Sequence, residues 1–451
     1  MAVYRGVFSV GDERSVAGEL ILRRKSSKKS KLRLWDTSPF DVSPNKTIHG
    51  IVSDGSGSKA VSVFHGLVVR WTDGFGRSLH TKDVIFSTVT MGAERLELHE
   101  KIIRSAGFAF DEIKTAFRNT EAFSVIFGPD SDLREQVERS TKRKLREDAV
   151  VAYFNGDQRD LNILDTALGD IEINARGVTG HLGPDGIPLR QDGPYMLLKF
   201  SSPLDLGEAR RRVFIFRCFV GLLIGYVPAL TDFYVRLSPT DELPDYGHKI
   251  QVYSHHSTNK IPKRSLQSAL LDFKNEMEFT EVTKKWLMRN QEKERHDANL
   301  RFLAHFGATK YNEDRLISGV NMFDLLPQGD KLYANGKEMR DIKNVIKRKA
   351  EPIVDTLGEN MLPSLDEIIE HAVDGRNHYV HGNAAKLDFR RGRILIFLIN
   401  TLEFVFGVSE MLECGWDMRR WLTQARGQDH TFGDYLRSYR ELLQEVKNST
   451  I

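Results

Sequence analysis

At 451 residues, with 40% hydrophobic and 28% charged side chains, the chain is long enough for two or three domains and has a globular rather than a disordered or fibrous composition. The net charge of +3 excludes a global polycation, so any nucleic-acid contact must be local. Two cysteines, Cys218 and Cys414, cannot make a zinc site alone, and both lie in apolar stretches where buried free thiols are expected.

The start, Met1 to Gly6, lacks the layout of a signal peptide, and residues 1 to about 125 read as short strands. Val16 to Leu22, Ala60 to Trp71 and Asp83 to Thr90 are rich in Val, Phe and Ile, with Gly, Asp and Ser turns between them. That pattern predicts an antiparallel sandwich or barrel. The basic run Arg23 to Lys31 falls where a hairpin loop should be; it reads as a solubilising loop, with a phosphate-contacting arm as the sharper alternative. Ser131 to Asp148 predicts a polar helix whose Arg139, Lys142, Arg143, Lys144 and Arg146 suit the negative end of the helix dipole. Strands resume from Ala149 to about Lys199, among them Asp170 to Asn174 with one buried face. Val213 to Leu230 is apolar enough to suggest a membrane, but it carries Arg217 and follows Arg210–Arg212. A core helix over Leu206 to Tyr226 is expected instead, leading into strands at Phe233 to Leu237 and Lys249 to Tyr253. A cytoplasmic protein without membrane contact is the expectation.

Near Thr258–Lys260 the apolar period changes from two to 3.6, dividing the chain into residues 1–258 and 259–451. Ser265 to Phe306 predicts one long charged helix or two, with Leu266, Leu270, Phe273, Met277 and Phe279 as a partial stripe. Further helices are predicted over Asp314 to Leu326, Met339 to Leu357, Ser364 to about His378, Phe389 to Cys414 and Phe432 to Val446. The run Ile394 to Ile399 predicts burial nearly all round, with the Ile394 to Phe406 region also leaving surface for a partner. The fold class is α+β: an N-terminal antiparallel β-rich, sandwich- or barrel-like region followed by a C-terminal all-α bundle.

The chemistry concentrates in Arg376-Asn377-His378-Tyr379-Val380-His381-Gly382-Asn383. Arginine is a permanently charged fork that holds phosphate oxygens bidentately, and histidine exchanges a proton near neutral pH. Arg followed by His after four to six residues should arise about two or three times by chance in such a chain. It arises at Arg176/His181, Arg289/His296 and Arg376/His381. The first lies in a Gly-rich turn and the second in a solvated, charge-dense stretch, whereas the third has apolar helical patterns on both sides. Gly382 and Asn383 tolerate positive φ, so the helix from Ser364 should end there. A five-residue separation puts Arg376 and His381 on different faces of a regular helix, so convergence on one phosphate needs the helix to end between them or a second copy to contribute. A blander arrangement pairs Arg376 with Asp374 or Glu370 and leaves His381 as a cap. Metal ligation finds little support: His255-His256 and His378/His381 lack carboxylate or Cys companions at ligand spacing. Phosphate-binding and nucleophile-elbow motifs are absent from the sequence.

Arg376-Asn377-x-x-x-His381-Gly382 resembles the Arg-x4–6-His signature of HEPN domains, and the layout of the β-rich half, with its apolar stretch near Val213, resembles that of ApeA-type antiphage proteins. The resemblance implies a metal-independent endoribonuclease without cofactor, built as a homodimer in which two motifs line one cleft. It implies RNA, with tRNA as a candidate substrate, and an N-terminal region that senses a phage-derived trigger or restrains the nuclease. His381 would transfer protons, Arg376 would stabilise charge on the phosphate and Asn377 would orient the phosphate or the His. His378 is a candidate auxiliary. Tyr379 is a candidate for base stacking, with packing on the next helix as its alternative. Asp324 matches the acidic residue that many HEPN domains carry on an earlier helix, although they more often show Glu. The competing function is a non-catalytic module that binds a nucleotide or RNA through the same cleft, beside a β domain for protein or glycan.

Overall fold

The computed structural model describes residues 2–10, 14–23, 30–42, 46–53, 57–72, 79–110, 123–126, 138–139, 144, 151–154, 160–174, 195–237, 249–254, 269–271, 275–308, 310–333, 335–339, 341–384, 387–389, 393–423 and 430–449. Alternating apolar residues build the strands of the first half: β1 (Ala2–Val10), β2 (Arg14–Leu22), β3 (Lys31–Asp36), β4 (Ile48–Ser53), β5 (Ser58–Phe64), β6 (Leu67–Thr72), β7 (His80–Ile85) and β8 (Thr88–Gly92). They continue as β9 (Ile103–Phe110), β10 (Phe123–Ile126), β11 (Val151–Phe154), β12 (Asp160–Thr166), β13 (Gly169–Asn174), β14 (Tyr195–Leu204), β15 (Leu230–Arg236) and β16 (Ile250–Ser254). Among the described residues β10 pairs with β11, and the others form one sheet in the order β12-β13-β14-β9-β15-β16-β8-β5-β4-β1-β2-β3-β7-β6. All of its strand pairs are antiparallel.

Ala60 to Trp71, expected as one strand, is two: His65 at φ 53 turns the chain between β5 and β6. Asp83 to Thr90 likewise divides between β7 and β8, which lie at different places in the sheet. The basic run does join paired strands, since β2 and β3 are antiparallel neighbours, although its residues 24–29 lie outside the described ones. Nearly all of the helix expected over Ser131 to Asp148 also lies outside them.

The sheet serves two cores. Phe8, Leu20, Leu34, Val52, Val61 and Val84 gather into one apolar cluster supplied by β1–β5, β7 and β8. A sheet this long must curl to enclose such a cluster, which is the barrel-like character of the region. Strands β9 and β12–β16 supply the second cluster, in which helix α1 (Leu206–Ile224) packs on β9 and β14, where the core helix was expected. Asp205 caps it by accepting a hydrogen bond from the Glu208 amide at 2.9 Å, and Gly225 at φ 86 ends it.

The C-terminal region is helical: α2 (Glu276–Arg289), α3 (Lys293–Leu303), α4 (Glu313–Asp324), α5 (Ile342–Leu357), α6 (Leu365–His381), α7 (Ile394–Glu413), α8 (Met418–Thr423) and α9 (Thr431–Lys447). The long charged stretch is therefore two helices, broken at Asn290–Glu292. The stripe expected there is corrected too. Leu266 and Phe273 lie outside the described residues, Leu270 is buried but precedes the helix, and Met277 is exposed, while Phe279, Val282, Trp286 and Leu287 are the buried face. Helix α7 is long and apolar enough to cross a membrane, yet 83% of its apolar window is buried inside the protein. Within Ile394 to Phe406 only Leu395, Ile396 and Asn400 are partly exposed, so little of this helix is left for a partner.

The second core does not stop at the change of period. Phe108 on β9 meets Phe216 at 5.8 Å, Phe219 on the same helix α1 meets Trp286 of α2 at 5.2 Å, and Phe302 of α3 meets Phe406 of α7 at 5.2 Å. Each such ring is worth about 1.5–3 kcal/mol when fully buried, so this chain of contacts ties sheet and bundle into one core. Cys218 and Cys414 are free and buried there, and burial pushes both thiols up to about 12.

Candidate active site

Helix α6 opens after Ser364, with Asp366 and Glu367 in its first turn, where acidic groups suit the positive end of the dipole. Its buried stripe is Leu365, Ile368, Ile369, Ala372, Val373 and Gly375. A Cβ on Gly375 would come to 3.0 Å from the Leu316 side chain on α4 and from the Phe389 ring, so a larger residue there would push these side chains aside next to Arg376. The acidic residues of α6 are taken by α5: Lys343 binds Asp374 at 2.8 Å and Lys347 binds Glu370 at 2.6 Å. Arg376 pairs with neither acid.

Half-buried Arg376 instead donates from Nη1 to Asn377 Oδ1 at 3.0 Å and to His381 Nε2 at 3.1 Å. Its Nε is buried with no hydrogen-bond partner among the described residues. A guanidinium can only donate, so Nε2 of His381 accepts and carries no proton in this arrangement. His381 is exposed and is the last residue of α6; Gly382 at φ 70 caps the helix, its amide donating to the His378 carbonyl at 2.9 Å.

This corrects the expectation drawn from the five-residue spacing. The helix does not end between the two residues, and they meet within one protomer all the same. Side chains on a helix lean toward its N-terminus, which brings the ring of His381 back along α6, and the long arginine stem covers the rest of the arc.

His378 and Tyr379 turn toward the body of the protein. His378 Nδ1 donates to the Asn383 carbonyl at 2.6 Å, and its ring lies 5.8 Å from Phe389. Tyr379 lies 5.6 Å from Phe389 and packs against the shared core, the alternative to base stacking. Phe389 is thus a wall of the site that motif reading missed; its only signal was an aromatic residue in the connection before an apolar helix. Asp324 is exposed at the end of α4, and among the described residues no hydrogen bond or ion pair joins it to Arg376 or His381.

The decoys separate cleanly. Arg289 binds Glu413, and the same cluster holds Arg295 against Glu410 at 2.6 Å and Lys349 against Asp330 and Glu413 at 2.6 Å each. His296 faces Asn290 at 3.2 Å, and burial followed by the charge of Arg211 holds its imidazole below the ordinary range. Arg176 and His181 lie outside the described residues.

No curated protein and no solved structure matches the chain. Residues 289–420, which run from the end of α2 into α8 and include the Arg376–His381 motif, match the family model described as Apea-like HEPN. Residues 289–420 of this α+β protein are therefore an Apea-like HEPN domain.

Proposed function

We propose that the protein is a metal-independent endoribonuclease acting in antiphage defence, with the motif on α6 as its active site and the β-rich region as sensor or restraint. One observation carries the reading. Among the described residues Arg376 is a half-buried cation without a carboxylate partner, and it donates to the unprotonated Nε2 of an exposed histidine. An incoming phosphate takes over the donors of the fork, which binds two oxygens at once. Nε2 is then released to accept the proton of the 2′-hydroxyl as that oxygen attacks the adjacent phosphorus. The 5′-oxygen leaves with a proton from an acid, and the products are a 2′,3′-cyclic phosphate and a 5′-hydroxyl. DNA lacks the attacking hydroxyl, so RNA is the substrate, with tRNA as the first class to test. Asn377 keeps the fork in place. The domain family, whose members are generally ribonucleases, supports the same assignment.

The step needs both a base and an acid, and each protomer presents one exposed histidine of the motif here, His378 being half-buried against Phe389. A homodimer with two facing motifs supplies the second. Purified full-length protein incubated with total tRNA or mRNA in EDTA should cut and leave cyclic-phosphate ends. Products with 5′-phosphates, or activity lost on chelation, would show the mechanism to be wrong. The dimer fails as a requirement if species that are monomeric by light scattering cut at a rate per protomer that does not depend on concentration.

A further inference from the structure

Between α1 and β15, a cavity of about 290 Å³ is lined by Gly207, Val213, Leu230, Phe233, Phe214 and three arginines. The arginines are Arg210, Arg211 and Arg217. Their charges are not equal. Arg211 is neutralised by Glu208, which it binds through two nitrogens at 2.7 and 2.8 Å. Arg210 donates to the Thr88 hydroxyl at 2.6 Å, and Arg217 to the Pro228 carbonyl at 2.6 Å. Among the described residues neither has an acidic partner, and burial pulls both guanidinium groups below their ordinary value. Placing two desolvated cations beside one cavity without a counter-charge is costly in a protein that binds nothing there. The floor of the cavity is apolar, and Phe214 is 40% exposed at its rim with the Arg217 guanidinium 5.9 Å from the ring centroid. An exposed aromatic face beside two unmet arginines suits a ligand that is flat at one end and anionic at the other.

We propose that this cavity binds a nucleoside phosphate, with the phosphate held by Arg210 and Arg217 and the base set against Phe214 and the apolar floor. The volume lies at the low end of the range for small-molecule sites, about 300–1,000 Å³, and so favours a single nucleotide over a longer chain. The site is independent of the Arg376 motif, since it lies on a helix outside residues 289–420.

The test is calorimetric titration of the full-length protein with AMP, ATP, GTP and inorganic phosphate. It is done in the Arg376→Ala background so that the nuclease motif does not contribute. At least one nucleotide should bind saturably with Kd below about 1 mM. Arg217→Met should weaken that binding at least tenfold. Phe214→Ala, which alters an exposed side chain and spares the fold, should weaken nucleotide binding several-fold and leave phosphate binding unchanged. The proposal is overturned if no nucleotide binds, if inorganic phosphate binds as tightly as the nucleotides, or if nucleotide binding survives both substitutions in folded protein.

Discussion

The bundle interior and the exposed end of α6 use the same residue types to opposite ends. Inside, Arg289, Arg295 and Lys349 are met by Asp330, Glu410 and Glu413, and Arg315 is met by Glu403 at 2.7 Å with both side chains almost fully buried. Every cation there has a carboxylate, because an unpaired charge in an apolar interior is prohibitive. At the end of α6 the carboxylates are drawn off by Lys343 and Lys347, and Arg376 is left to a carboxamide and an imidazole. The difference teaches what makes an arginine available for phosphate. Its spacing to a histidine is a poor guide; the removal of nearby acids is a better one.

That contrast can be broken at several points. His381→Ala should lower RNA cleavage by about 10²–10⁴-fold, the range for a positioned proton-transfer group. Its unfolding free energy should stay within about 0.5 kcal/mol of the parent, because the side chain is exposed. An equal loss of stability would move His381 into the structural class. Arg376→Lys should lose nearly as much cleavage as Arg376→Ala, about 10²–10³-fold, since an ammonium is a point charge without the fork. A lysine variant that keeps most of the rate would mean that charge alone suffices.

The interior should respond in the other currency. Glu403→Leu strands Arg315 in the core and should cost about 3–5 kcal/mol in denaturant unfolding, with most of it recovered by adding Arg315→Met. Failure of the double variant to recover would show that packing, not charge, sets the cost. The smallest effects belong to His296. Alanine there should leave cleavage within a few-fold of the parent. Its folded pKa lies below the unfolded value, so the stability it contributes is full above the unfolded pKa and is lost as pH falls through the folded one. Melts of His296→Gln should therefore lose stability less steeply than the parent between pH 7.5 and 5.5.

Much of the scaffold was legible because it rests on local rules. Gly382 ends α6 as its turn chemistry predicts, Ile171 and Ile173 fill the single buried face of β13, and the run at Ile394 is enclosed in the bundle. What depended on partners distant in sequence was hidden. His65 gives no sign that it breaks a strand, and nothing near Met277 reveals that Trp286 on the same helix carries the burial. At the site the motif could be read, but the approach of Arg376 to His381 depends on stem length and side-chain lean, which a count of residues per turn leaves out. Phe389 and the pairing of Asp374 with Lys343 come from neighbouring elements and have no signature beside the motif.

The last helix returns to the first. His430, ahead of α9, lies 3.2 Å from the Leu222 carbonyl near the end of α1, and Thr431 donates to the Gly225 carbonyl at 3.0 Å. Translation proceeds from the N-terminus and domains generally fold as they emerge, so the strands and α1 leave the ribosome before the C-terminal helices do. The clasp that ties those helices to α1 cannot close until residue 431 is free of the exit tunnel. This tie between the end of α1 and the start of α9 is thus made last in synthesis, and a chain stalled before residue 430 lacks it altogether.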